Sequence, residues 1–228
     1  MGVFAFVAPL VSPAQSASFD IAQHGHSVGT ASFQFTAAMQ GVSSTSVVHV
    51  AMQGLNYSLS KTEQLSSAHQ LQQVQLSATV NGSAVSVIGT PASGQIVLKI
   101  SANGRTTTTP LAAHNDAVFL PDFDPGGLET LLTLGVAQNG HDLWAIIPKN
   151  AGSIAQVQLA TYPDQQGTLD GKPIMVHHLV ATISGANTDL FSGPDNQLLQ
   201  AELPQEGFAL VRKGFVLKPP GKPVAPAE

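Results

Sequence analysis

The stretch GTLDGKPIMVHHLVATISGANTDLFSGPDNQLLQAELPQEGFALVRKGFVL, Gly167 to Leu217, decides the fold. Short apolar runs alternate in it with turn signals. Asp170-Gly171-Lys172-Pro173 precedes the run Ile174 to Ile183. Ser184-Gly185-Ala186-Asn187 leads to Thr188–Ser192, and Gly193-Pro194-Asp195-Asn196 to Gln197–Leu203. Pro204-Gln205-Glu206-Gly207 opens Phe208 to Val211 and the run to Phe215. Runs of this length with Asp-Gly, Ser-Gly and Gly-Pro punctuation predict a meander of antiparallel strands, not a scaffold of crossover helices.

The same rhythm extends toward the N-terminus. Ala31, Phe33 and Phe35 alternate with polar neighbours, as do Val48, Val50 and Met52. Val74, Leu76, Ala78 and Val80 alternate with Gln73, Gln75, Ser77 and Thr79, the pattern of a half-buried strand. Asn81-Gly82 suits a type I′ turn and closes this strand onto Ser83–Ile88. Ile96, Leu98 and Ile100 share one face. Asn103-Gly104 then turns into Arg105 to Thr109, a threonine ladder suited to an edge strand. Leu143–Ile147 and Ile154–Tyr162 form a further pair.

One segment departs from period two. Leu128, Leu131, Leu132 and Val136 recur at helical spacing after Asp124-Pro125-Gly126-Gly127. Asp124 reads as the N-cap and Pro125 as the first helical residue, with Asn139-Gly140 as the stop. The spacing predicts a main helix over 125–138. A second, short helix is expected between Lys61 and Gln70.

The fold class expected is therefore all-β with a minor α part: a strongly curved antiparallel sheet or incomplete barrel, with one main helix packed on the concave side. Residues 18–217 read as a single β-rich domain. One helix cannot cover the apolar face of so many strands. The face must close on itself, meet another sheet, or leave room for a guest.

Composition narrows the function. Of 228 residues, 10% are charged, far below the roughly 25% usual in soluble domains. A net charge of −5 without a basic cluster argues against nucleic acid as a partner. The chain has no cysteine, which excludes disulfides, thiolate metal sites and cysteine nucleophiles. No stretch reaches the 18 or more apolar residues of a spanning helix. Val3 to Val11 is apolar and is followed by small residues, so 1–17 read as a signal-peptide remnant or a disordered segment, and a periplasmic or secreted location is expected. Residues 218–228 form a Pro-rich tail, expected to be extended.

Several residues carry candidate chemistry. Gly25-His26-Ser27-Val28-Gly29 matches the nucleophile elbow, in which the serine sits on a strand-to-helix turn, but Thr30–Thr36 alternates as a strand. His24 and His26, two apart in a strand, would face one side as metal ligands. Asp116 belongs to an acidic stretch with His114, Asp122 and Asp124, followed by His141-Asp142, that would converge into an acid/base site if the helix returns over the sheet mouth. The plainer readings are a bend at the glycines, surface histidines, and loop solvation with helix capping. Arg212-Lys213 would straddle the last strand, with one member turned toward an anionic head group or serving as an edge charge. No P-loop, dinucleotide fingerprint or calcium loop is present, and no cofactor is implied.

The segments Thr168–Pro173, Asp189-Leu190-Phe191, Leu198-Leu199, Pro204–Phe208 and Val211–Phe215, together with Gly25 to Phe35, resemble a group of uncharacterised exported bacterial proteins. The resemblance implies a fold similar to the lipoprotein-carrier (LolA/LolB-like) half-barrels, whose concave apolar face holds acyl chains. It transfers no catalytic residue, and the anchoring cysteine of lipoproteins is absent here. The expectation is a binding protein for an apolar small molecule or lipid. Phe33, Phe35, Leu76, Ile96, Leu98 and Ile100 would form its wall, Leu128, Leu131 and Leu132 its lid, and Arg212 a polar contact. The alternatives are a hydrolase using Ser27 or a His24/His26 metal site, and a structural partner in an envelope complex.

Overall fold

Two-residue turns organise the chain. His24-Gly25, Asn81-Gly82, Asn103-Gly104, Asp170-Gly171 and Ser184-Gly185 each place both residues at positive φ, for example 49° and 83° at Asn81-Gly82. That backbone matches the twist of the strands it joins, so each pair folds the chain back into a tight hairpin. The computed structural model describes residues 15–137, 142–149 and 151–218. The 1–14 part of the expected leader, the helix stop at Asn139-Gly140, His141, and the tail from 219 onward lie outside the described residues.

Eight strands come first: β1 (Gln15–Gln23), β2 (His26–Ala38), β3 (Gly41–Met52), β4 (Leu55–Leu65), β5 (Leu71–Val80), β6 (Ser83–Ala92), β7 (Gln95–Ala102) and β8 (Arg105–Ala112). Each pairs antiparallel with its successor. Then come β9 (Ala117–Phe119), helix α1 (Pro125–Ala137), β10 (Trp144–Ile147), β11 (Ser153–Leu169), β12 (Lys172–Ile183), β13 (Ala186–Ser192), β14 (Leu198–Leu203), β15 (Phe208–Arg212) and β16 (Phe215–Leu217). From β10 to β15 the chain meanders again, and β15 pairs with β1, Phe19 opposite Arg212, to join the two meanders into one sheet. The strand order runs β8 to β1, then β15 down to β9, with β16 beside β11. Only β9 and β10 pair in parallel among the described ladders, and α1 is the crossover between them.

The topology places the helix. The chain leaves β8 at one end of the strand order and enters β9 at the other, and α1 lies just beyond this passage. The 13-residue helix touches β2, β3, β9 and β14. β8 also meets β11, and β5 meets β9. Strands so far apart in the order can share neighbours only if the sheet is strongly curved, and α1 fills its concave side.

Alternation sends one apolar row per strand inward. Phe19, Phe33, Phe35, Val48, Val50, Val74, Leu76, Ile96, Leu98, Leu190, Leu198 and Leu210 join Leu128, Leu131 and Leu132 of α1 in one core. The Phe19 and Phe33 rings stack 6.1 Å apart. A second, smaller core of Val176, Phe191, Leu199 and Phe215 lies on the opposite face of the C-terminal strands, under β16. α1 contains Gly126, Gly127 and Gly135, each about 1 kcal/mol poorer than alanine in a helix. Its buried leucines, contributing about 1.5–3 kcal/mol each, outweigh that deficit. The helix therefore exists because it is packed.

The helix expected at 61–70 is not formed. Residues 55–65 are strand β4, with Tyr57, Leu59, Lys61, Glu63 and Leu65 all turned inward and buried. Two of those five inward positions are charged, which hides the period-two pattern.

Candidate functional site

The two charges that disguise β4 are the start of the site. Lys61 and Glu63 are two apart, so both project to the concave side. In the β3–β4 ladder, Ser46 is opposite Lys61 and Ser44 opposite Glu63, which puts four polar side chains on one patch of the inner wall. Asp124 arrives from above, at the first turn of α1. Its Oδ1 accepts the Gly126 N–H at 3.1 Å, and its carbonyl accepts the Leu128 N–H at 3.2 Å, so it caps the helix as expected. Its Oδ2 forms an ion pair with Lys61 Nζ, which also lies 2.8 Å from Glu63 Oε2. All five residues are at most 2% exposed.

Burial sets the charge state of this cluster. It pushes the Glu63 carboxyl above the ordinary 4.5, and the Asp124 charge adds to that, against the opposing pull of Lys61 and the nearby Ser44 hydroxyl. Burial works against the Lys61 ammonium too, but Asp124 and then Glu63 prevail and hold it above its ordinary range. One ammonium is thus shared between two buried carboxyl groups. Tyr57, on the same strand face, is held neutral by burial and by the charges of Asp122 and Asp124.

The serines are less well served. Ser46 Oγ has no hydrogen-bond partner among the described residues, and Ser44 Oγ sits by Glu63 without a well-formed bond. Both hydroxyls face Gly126, where a side-chain carbon would collide with Ser46 Oγ. The glycine lets the helix terminus settle directly onto the serine pair.

A second carboxylate is buried one turn along α1. Glu129 Oε2 accepts the Leu198 N–H at 2.6 Å, and its Oε1 accepts the Gln15 side-chain amide. Burial raises its pKa, while Leu198, Gln15 and the more distant Arg212 oppose the shift. Arg212 donates to Gln197 Oε1 at 2.7 Å. Glu129 thus ties the helix to β1 and to the start of β14.

The expected wall and lid residues do come together. Phe33, Phe35, Leu76, Ile96, Leu98, Leu128, Leu131 and Leu132 are buried in one cluster, and Ile100 packs against it. The candidates for catalysis do not. Ser27 lies exposed in β2, paired with Ala22, with no strand-to-helix turn behind it, so the elbow is not formed. His24 sits in the β1–β2 turn at φ 48°, not in a strand, so the shared face expected for His24 and His26 is lost. Among the described residues no group of three His, Asp or Glu side chains could hold a metal ion. The acidic stretch disperses: the exposed Asp122 pairs with Lys149 at 2.8 Å, Asp124 turns inward, and Asp142 accepts from Trp144 Nε1 at 3.0 Å. Asp116 is buried, and its carbonyl accepts the Trp144 N–H at 3.0 Å. His114 stacks on Trp144 at 3.7 Å. Lys213 lies in the turn after β15, 3.8 Å from Asp20.

Two open surface grooves measure about 570 and 560 Å³, and the second is lined by Asp170, Arg212 and Lys213. The first is lined by small side chains such as Ser60, Ser77, Thr79 and Ser86, which alternate with the buried row. Sequence reasoning misses Lys61, Glu63, Ser44, Ser46 and Glu129; the signal for the first four is Lys-x-Glu at strand spacing beside Ser-x-Ser, and Glu129 has none. Comparison with known proteins found no family model that matches the chain, no significantly similar curated protein and no significantly similar solved structure.

Proposed function

We propose that this chain is a binding protein for an apolar ligand, a lipid or acyl chain, held against the concave wall and covered by α1. A periplasmic or secreted location and a kinship with the lipoprotein-carrier half-barrels belong to the same reading. The observation that carries it is the construction of the cover. One helix closes a long apolar wall, and it is fastened there by desolvated charges as well as by leucines. A buried ion pair contributes little net stability, because desolvation offsets most of its attraction. Apolar packing over the same area would hold the helix more firmly.

Two further features favour a cover that moves. Three glycines make α1 a poor helix on its own, so its order depends on contact with the sheet. Phe123, just before the cap, is held at φ 58°, a conformation that costs a bulky residue on the order of 1 kcal/mol or more. Its ring is wedged between Tyr57 and Phe208, at centroid distances of 6.2 and 4.8 Å. Strain at the root of a helix is relieved when the helix lifts. In the described state α1 occupies the place the guest would take, so uptake requires displacement of the helix. The exposed, unassisted Ser27 gives the hydrolase alternative no comparable support.

Native mass spectrometry of protein purified from cells, with organic extraction of the same sample, tests the reading. A co-purifying lipid or fatty acid, or saturable uptake of cis-parinaric acid, is expected. Absence of any bound lipid together with absence of uptake of that acid and its methyl ester would overturn it. Cell fractionation tests the location separately.

A further inference from the structure

The patch beneath the helix terminus has the composition of a receptor for an anion, and a carboxylate already stands on it. Lys61 is fully buried on the inner wall, with Ser46 opposite it and Ser44 opposite Glu63, and the Ser46 hydroxyl has no hydrogen-bond partner among the described residues. Lys61 meets two carboxyl groups: that of Glu63 on its own strand, and that of Asp124, which caps the helix and does not belong to the wall. The remaining members, Lys61, Glu63, Ser44 and Ser46, all belong to the sheet. If α1 lifts, Asp124 leaves with it, and the sheet keeps the Lys61 ammonium with Glu63 and the Ser46 hydroxyl beside it.

Resting on the reading that α1 is a displaceable cover, we propose that Asp124 is an internal stand-in for the ligand's head group, and that the ligand is a single-chain amphiphile ending in a carboxylate. The head group would take the place of Asp124 on Lys61 and receive hydrogen bonds from Ser44 and Ser46. The tail would run along the phenylalanine wall, since Phe33 also touches the position of Gly126.

One-for-one replacement of Asp124 selects this class. In the closed cluster the Lys61 ammonium contacts the carboxyl groups of both Asp124 and Glu63. A carboxylate ligand replaces Asp124 one for one and leaves Glu63 as it is. A neutral ligand would leave Lys61 with Glu63 alone and would not make up for the carboxylate that departs with α1. A cationic ligand would put two positive groups side by side on the buried wall, where burial makes their repulsion costly.

The test compares cis-parinaric acid with its methyl ester on the full chain, using wild type, Asp124→Asn and the double variant Ser44→Ala/Ser46→Ala. Asparagine keeps the N-cap, so the first variant preserves the helix terminus. The serine variant removes hydroxyls without stranding a charge. The acid is expected to bind Asp124→Asn about tenfold more tightly than wild type, and the serine variant about fivefold more weakly, with the ester changed less than twofold in both. If acid and ester bind and respond alike in all three proteins, the head-group assignment fails while the apolar-binding reading stands. If neither probe binds any of the three, that underlying reading fails with it.

Discussion

The two buried carboxyl groups contributed by α1 and its cap, Glu129 and Asp124, are held differently by the fold. Glu129 has a donor on each oxygen, the Leu198 N–H and the Gln15 amide, and the nearby Arg212 is occupied by Gln197. Asp124 likewise meets the Gly126 N–H and Lys61, one at each oxygen, but it shares that lysine with a second acid, beside the Ser46 hydroxyl, which has no partner among the described residues. A fully satisfied buried polar group acts as a fastener; an incompletely satisfied one stores free energy that a better partner can release. The comparison assigns Glu129 to holding the helix and the Lys61 cluster to exchanging it.

The largest effect that can break this comparison is at Lys61. Lys61→Met leaves Asp124 and Glu63 buried without a cation, and a loss of about 3–5 kcal/mol in urea unfolding is expected. Lys61→Met/Asp124→Asn removes charge from both sides of the pair and should recover most of that loss, since apolar or neutral replacement of a whole buried pair is often tolerated. A single variant as stable as wild type would mean that water reaches the cluster and that it holds no stored energy.

How much of this was legible beforehand depends on how local each feature is. β2 and β5 were readable because Phe33, Phe35, Val74 and Leu76 alternate cleanly with polar neighbours. The turns at Asn81-Gly82 and Ser184-Gly185 were readable because two adjacent residues fix them. Asp124 as a cap was readable for the same reason. Its second role was not, because Lys61 lies 63 positions earlier on a strand that only the β3–β4 ladder orients. The site also concealed its own strand: with charges at 61 and 63, β4 no longer looked half-buried, and a helix was expected instead. The Gly-His-Ser-Val-Gly match misled in the opposite direction. Its residues suit an elbow, but His24-Gly25 make a hairpin turn, and the serine that follows is committed to a ladder.

A middle-sized effect separates the two acids by pH. Glu63 and Glu129 both have folded pKa values raised above 4.5. Their folded forms hold protons more tightly than the unfolded chain, so the stability they contribute is complete below that value. It is lost as pH rises through the folded pKa. Lys61, also raised, contributes stability below its unfolded value of 10.5 that is lost in more alkaline solution. Glu129→Gln keeps one acceptor and should cost about 1 kcal/mol near neutral pH. It should also flatten, without abolishing, the decline in thermal midpoint from pH 4.5 upward, because Glu63 remains. An unchanged pH profile in the variant would show that Glu129 does not titrate there and would remove the contrast with Asp124.

The smallest effect tests the close approach on which the exchange depends. Gly126→Ala should gain up to about 1 kcal/mol in helix propensity, yet its new methyl group meets Ser46 Oγ, and overpacking of that kind costs about 1–3 kcal/mol. A net loss is expected in the single variant. Adding Ser46→Ala deletes the colliding oxygen while keeping the strand, so Gly126→Ala/Ser46→Ala should be more stable than Gly126→Ala alone. If the second substitution restores nothing, the helix terminus does not rest on the serine pair, and the fastening at Glu129 would be the principal polar hold on the helix.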